Sequence, residues 1–434
     1  MSLCTIGWVN TMLRKNGGTQ SESINIYRFG AIAIGKGYKT AAHSISPDKL
    51  SDLNRAFCFP SSGRPISGRA NEHAKMKRSA KLDAIRGLAV LLVLLHNTDN
   101  YPFLHLSLIS QNGWMGVDLF FVLSGFLITG ILLDAKQSQG YFKKFYARRC
   151  LRIWPLYYSV LLFMFVIVPF MRPSEAHAVF DSRSAPWWSY LLFLQNFLVP
   201  IPSMATGPLG VTWSLAVEEQ FYLIWPLIVR FCTESQLRKI AIAVICISPA
   251  LRFYLSLHQF NIYSNPFCRS DGLMAGALLA LVLRSSSFLP SNFVKRAWII
   301  LLVSVPFALA LETLHARWIV FSLTAAASTA LIFLALFSTQ RWLQAMLANR
   351  FLIYTGTISY GIYLLQKLPL DAAKTFHLDQ YQFLALPITT ALTYAMATIS
   401  WNLLERPFLK LKRFFEVRRD PVPMETVAAL EAAS

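Results

Sequence analysis

From about residue 82 onward, long apolar runs alternate with short basic stretches. The apolar runs cover about 82–98, 114–133, 153–171, 187–201, 213–229, 240–257, 271–286, 297–313, 318–338, 351–367 and 382–404. A helix needs about 20 residues to cross a bilayer. Run 187–201 is shorter and holds Gln195, Asn196 and Pro200. Charge parity decides whether it crosses. If it does not, the basic loops 134–152, 230–239, 284–296, 339–350 and 405–419 all share the side of Lys75, Lys77, Arg78 and Lys81. That is the positive-inside arrangement, and it fails if the run crosses. The pattern therefore predicts an all-α membrane protein, a bundle of about ten transmembrane helices with both termini cytoplasmic. Run 187–201 becomes a re-entrant or interfacial helix on the outer side, where Trp187 and Trp188 suit the aromatic belt.

Composition agrees with this reading. Of 434 residues, 55% are hydrophobic and 15% charged, against roughly half and a quarter in soluble domains. The formal net charge of +19 resides largely in the loops, and no nucleic-acid recognition module is visible, so no nucleic-acid partner is expected. The six cysteines form no CxxC and no Cys/His ligand spacing, so neither a metal site nor a disulfide framework is expected. No Walker or GxGxxG pattern supports ATP or NAD. No internal repeat is evident, which disfavours a transporter built on inverted repeats.

Three regions follow. Residues 1–75 are polar, hold no span and lack the order of a signal peptide. They are expected to be a flexible N-terminal extension, with Met76 a second candidate start. Residues 76–408 form the membrane domain, and 409–434 a cytoplasmic tail.

The chemistry begins in LDAIRGLAVLLVLLHN, residues 82–97. Arg86 lies near the basic, cytoplasmic flank, and His96 lies about 15 Å further along the helix axis. Ionisable groups in hydrocarbon are costly and usually functional. A ten-residue step rotates about 280° around a helix, so Asn97 rather than His96 shares the face of Arg86. In GWMGVDLFFVLSGFLITGILL, Asp118 is one turn into the next span. It is either an aspartate favoured by the helix N-terminus or the group that orients His96. Ser124 and Gly125 allow either close helix packing or a narrow substrate chain. In YFKKFYARRCLRIWPLYY, Arg149 and Arg152 share a helical face beside Arg148, and arginine forks bind phosphate. They are either positive-inside charge or a grip on a nucleotide-containing donor. Glu218 and Glu219 lie in TWSLAVEEQFYLIWP, and Arg269, Asp271, Gln366 and Glu405 also enter apolar runs. The topology places Asp118, Glu218, Arg269 and Asp271 in the outer half with His96. Arg86, Arg149 and Arg152 fall on the inner side. That two-layer distribution points to a reaction across the bilayer. A transporter or exporter of a glycan or small molecule is the alternative.

The ordered blocks LDAIRG…LLH, GWMGVDLFFVLSGFLI, FYARRCLRIWPLYY, WSLAVEEQFYLIWPL, RSDGLMAGALLA, SYGIYLLQ and ERPF, from about 82 to 408, resemble the acyltransferase-3 family of integral membrane O-acyltransferases. Nine residues separate Arg86 from His96, where members often have ten, and Gln366 stands where a histidine is common. The resemblance implies a helical bundle in a bacterial inner membrane. It implies a cytosolic acyl-CoA, most often acetyl-CoA, as co-substrate with no tightly bound cofactor, and a surface or periplasmic glycan as acceptor. It also implies Arg86 and His96 as the essential pair and Arg149 and Arg152 as the loop motif. The expected catalytic residues are then His96 as base, Asp118, Arg86 and Glu218. Arg86, Arg148, Arg149 and Arg152 are the expected donor-binding residues. Asn97, Trp213, Glu219, Arg269, Asp271 and Gln366 are candidate substrate-binding residues.

Overall fold

A computed structural model describes residues 68–98, 107–171, 185–198, 207–284, 291–375 and 381–415. The expectations for residues 1–67 and for the tail beyond 415 lie outside the described residues. So does the loop 99–106.

Every described element is a helix. In chain order they are α1 (Gly68–Asn97), α2 (Ser107–Asn112), α3 (Met115–Ala135), α4 (Tyr141–Leu162), α5 (Trp187–Leu191), α6 (Gln195–Leu198), α7 (Thr212–Phe231), α8 (Glu234–Leu257) and α9 (Pro266–Val282). Then follow α10 (Ser291–Thr313), α11 (Arg317–Phe337), α12 (Arg341–Leu347), α13 (Arg350–Thr357), α14 (Ser359–Leu365), α15 (Lys367–Thr375), α16 (Gln382–Ser400) and α17 (Arg406–Lys410). Helix α4 continues through a π-helical turn, Phe163–Ile167, and a second one, Trp401–Glu405, joins α16 to α17. A 3₁₀ turn, Leu411–Phe415, follows α17.

Among the described residues, six helical stretches are long and apolar enough to cross a membrane: Ile109–Ala135, Tyr141–Phe170, Glu234–Leu257, Asn292–Thr313, Arg317–Phe337 and Leu384–Phe415. The chain is a multi-pass membrane protein. The stretches fall into two kinds. Helices α8 and α10 expose Ile242, Ile247, Phe253, Ile299, Leu302 and Val303, the apolar outer wall that lipid covers. Helices α3 and α11 are mostly buried and form the centre. Helices α7 and α9 fall outside the six. The first carries Glu218 and Glu219, and the second is 17 residues long with Arg269 and Asp271 buried. Interior helices tolerate polar groups because neighbouring helices, not lipid, surround them.

Two apolar runs are broken. Run 187–201 contains two short helices, α5 and α6, separated by Phe193 with a φ of 55°. The break is anchored rather than loose: Phe193 stacks on Tyr157 at 4.6 Å, Gln195 Nε2 donates to Thr212 O at 3.1 Å, and Gln220 Nε2 donates to Asn196 Oδ1 at 2.9 Å. The amides that interrupt the run thus tie it to α7. Run 351–367 divides into α13 and α14 at Ile358, where Ser359 Oγ takes the Gly356 carbonyl at 2.9 Å. Such side-chain bonds compete with the helical ladder.

Packing in hydrocarbon relies on close backbone approach rather than on water exclusion. Helices α3 and α9 show this directly. A Cβ on Gly125 would lie 1.8 Å from Leu273 O, and one on Gly276 would lie 1.9 Å from Val122 O. That contact sets α9 against α3 next to Ser124.

Candidate active site

A cavity of about 450 Å³ opens between α1, α3, α4, α7 and α14. One part of its wall is basic: Arg86 from α1, Lys144, Arg148, Arg149 and Arg152 from α4, and Lys412 from the 3₁₀ turn after α17. The other part is apolar, with Phe120, Leu123, Leu127, Ile128 and Ile131 from α3. Two small polar clusters interrupt it. In one, Ser124 Oγ donates to Glu218 Oε1 at 2.6 Å, and Tyr222 OH donates to Glu218 Oε2 at 3.1 Å. In the other, the hydroxyls of Ser214 and Tyr363 meet, and Tyr363 OH donates to Val211 O at 3.0 Å.

Among the basic groups, Arg86 has a carboxylate partner, whereas Arg149 rests on aromatic rings. Arg86 Nη1 bonds Asp83 Oδ1 at 2.5 Å, one helical turn back. The Arg149 guanidinium lies over the Tyr222 ring, 5.2 Å from its centroid, and 5.9 Å from that of Phe145. Arg148 Nε is buried with no hydrogen-bond partner. Glu218 is the one carboxylate among the described lining residues. Six cations gathered around one cavity repel one another, and a polyanion relieves that repulsion. The site therefore suits a ligand with several phosphates.

His96 occupies another place. The described residues lining the cavity do not include it. Its Nδ1 is 2.8 Å from Ser110 O. A carbonyl only accepts, so Nδ1 carries a proton, and in the neutral imidazole the lone pair is then on Nε2. That is the tautomer a general base needs, and a main-chain carbonyl fixes it. The packing that brings Ser110 there depends on Gly113 in the α2–α3 turn. A Cβ at Gly113 would lie 2.2 Å from Leu92 O and 2.9 Å from His96 Cβ, so any larger residue pushes the turn away from the histidine.

Asp118 does not orient His96, contrary to expectation. Its Oδ1 pairs with Arg269 Nη2, and Thr324 Oγ1 donates to its Oδ2 at 2.5 Å. The carboxylate faces α9 and α11 because that is where the buried guanidinium is. Arg269 also lies 3.9 Å from the Phe321 ring centroid. Asp271 has its own partner: Arg252 Nη2 bonds its Oδ2 at 2.8 Å, and Ser322 Oγ donates to the same atom at 2.8 Å. The two pairs tie α3, α8, α9 and α11 together. Glu218, expected in the outer half, lines one cavity with Arg86, Arg149 and Arg152.

The remaining candidates lie off the cavity wall as described. Trp213 packs on Phe121 at 6.0 Å and Tyr263 at 4.8 Å. Asn97 Nδ2 turns back to Val93 O at 3.1 Å. Gln366 Nε2 donates to Tyr363 O at 3.0 Å, which places it behind a lining tyrosine. Glu219 Oε1 is buried without a hydrogen-bond partner, about 100° around α7 from Glu218. Sequence reasoning missed Lys144 and Lys412 as lining residues. Lys144 was legible, being four residues before Arg148 on the same helix face. Lys412 had no local signal, since it reaches the site only through the packing of the C-terminal turn. Among the described residues, no group of three or more His, Cys, Asp or Glu side chains converges on a metal site.

The family model for the acyltransferase domain of the acyltransferase-3 family matches residues 79–404. A Bacillus subtilis protein named "Putative peptidoglycan O-acetyltransferase YrhL" is 29% identical over 75% of this chain and 54% of its own length. The peptidoglycan O-acetyltransferase OatA of Listeria monocytogenes is 35% identical over 33% of this chain and 23% of its own. A Staphylococcus aureus protein named "Putative O-acetyltransferase" is 26% identical over 78% of this chain and 58% of its own. The chain thus spans little more than half the length of these relatives at most. No solved structure matches the chain.

Proposed function

This chain belongs to the acyltransferase-3 family, and on that premise we propose that it is a membrane O-acyltransferase. It moves an acyl group, acetyl foremost, from a cytosolic coenzyme A thioester to a hydroxyl of a surface or periplasmic glycan. The cavity carries this reading: six basic side chains and an apolar wall line one space. Coenzyme A has both characters, with phosphates at one end and a largely neutral arm leading to the thioester. Peptidoglycan appears in the names of two relatives, which supports a peptidoglycan-like acceptor.

In this reading His96 is the base. Its Nε2 accepts the proton of the acceptor hydroxyl, whose oxygen attacks the thioester carbonyl. The bond to sulfur breaks and coenzyme A leaves as the thiol. Arg148, Arg149, Arg152 and Lys412 hold the donor phosphates, and Arg86 stabilises the negative charge of the donor. The topology is ten spans in a bacterial inner membrane with both termini cytoplasmic. In it the basic end of the cavity faces the cytosol and His96 lies toward the outer side.

One experiment with two arms tests this. Arg149→Ala with Arg152→Ala should weaken acetyl-CoA binding by at least about tenfold, because charge-assisted phosphate contacts are lost. His96→Gln, which retains hydrogen bonding, should leave that binding within twofold yet lower glycan acylation by about 10²–10⁴-fold. Unchanged donor affinity in the double variant would return these arginines to topological charge. Wild-type acylation by His96→Gln would remove the base.

A further inference from the structure

The cavity lining carries both signs of charge. Six cations line it, and Glu218 is the one carboxylate among its described lining residues. Glu218 is not neutralised by contact with a cation within hydrogen-bond distance. It is held by two hydroxyls, Ser124 to Oε1 at 2.6 Å and Tyr222 to Oε2 at 3.1 Å. The two hydroxyl oxygens are themselves 3.1 Å apart. A carboxylate has about four acceptor sites, so two remain for a ligand in the cavity that Glu218 lines. An anion or a bare hydrocarbon chain is the wrong partner for them. The first is repelled, and the second leaves buried lone pairs unsatisfied. A partner with N–H or O–H donors suits them, and the neutral arm of the donor offers amide N–H groups.

We propose that Glu218, held by Ser124 and Tyr222, is the subsite that recognises the amide N–H groups of the donor's neutral arm. This rests on the reading of the donor as a coenzyme A thioester and adds what selects it. The cations bind the phosphates, and the Glu218 carboxylate in the same cavity binds the amide-bearing segment between phosphates and acyl carbon. The same arrangement rejects donors with a second anionic group at that depth, such as acyl phosphates or lipid-linked diphosphates. Glu218 is thus a specificity-determining group, and Ser124 and Tyr222 are its positioning residues.

The test separates head from arm. Binding of adenosine 3′,5′-bisphosphate, which has phosphates but no arm, and of coenzyme A is measured on the full-length protein in detergent micelles. In the wild type, coenzyme A should bind more tightly. Glu218→Leu should weaken coenzyme A binding by about ten- to a hundredfold, the loss of hydrogen bonds to a charged group. It should leave the bisphosphate within twofold, which also shows that the variant is folded. Glu218→Gln, which keeps one acceptor oxygen, should fall between. Ser124→Ala should reproduce part of the loss. Equal weakening of both probes by Glu218→Leu, or of neither, overturns the proposal while leaving the acyltransferase reading in place. Failure of the wild-type protein to bind coenzyme A at all sinks that reading and this inference with it.

Discussion

Asp118 shows how a residue's partners decide its role. In the sequence it is an aspartate one turn into an apolar helix, near a histidine-bearing neighbour. In the structure it is half of a fully buried ion pair with Arg269, 151 positions away, and Thr324 holds its second oxygen. Removing one member of a buried pair leaves an uncompensated charge and costs about 3–5 kcal/mol. Asp118→Ala should therefore lower the thermal unfolding midpoint of the purified protein sharply. The double variant Asp118→Leu with Arg269→Met should regain most of the loss, since apolar replacements of buried pairs are often neutral. If Asp118→Ala melts like the wild type but acylates slowly, the aspartate acts in the chemistry and the framework role is wrong. His96 gives the complementary case. Its apolar setting was legible from residues 82–97 alone, but its orienting partner is the Ser110 carbonyl. A main-chain atom leaves no mark in a residue alphabet.

Helix-to-helix contacts govern the next scale. The α2–α3 turn passes so close to α1 that Gly113 has room only for hydrogen, with Leu92 O and His96 Cβ in the way of any side chain. This contact holds the Ser110 carbonyl against Nδ1 of the imidazole, whereas the described cavity lining includes neither Gly113 nor Ser110. Gly113→Val should consequently cut acylation by about 10²-fold or more, the scale of a misplaced base. Donor affinity should stay within about twofold. Steady-state acylation rates and equilibrium binding of acetyl-CoA, measured on one preparation, give both values. A matched fall in both would mean that the turn supports the whole bundle and not the base in particular. Gly113 and Gly116 stand in the block GWMGVDLFFVLSGFLITGILL as small residues. Which backbone they approach is not legible there, because small residues mark a contact without naming the partner.

At the scale of the molecule, the arrangement depends on topology. The loops counted as cytoplasmic carry most of the basic residues, and the run 187–201 folds into two short helices pinned to α7. Neither helix is long enough to span a bilayer. A reporter fused after Ser434 should accordingly be active only in the cytosol. Activity on the outer side would invert the later loops and detach the basic end of the cavity from the compartment that supplies coenzyme A.

Short-range order belonged to the sequence. Apolar runs of spanning length, loop charge and the three-residue step from Arg149 to Arg152 are local properties, fixed by a helix's rise and rotation. They were enough to point to a helical membrane protein and to mark a basic helix face at Arg149 and Arg152 and a histidine within an apolar run. Only the tertiary structure decided which distant polar groups meet: Ser124 with Glu218 across 94 positions, Asp118 with Arg269, and Lys412 with the arginines of α4. The reason is physical. A polar group in hydrocarbon must find its partner on another helix, and the identity of that neighbour follows from how whole helices pack, which no spacing within one helix encodes.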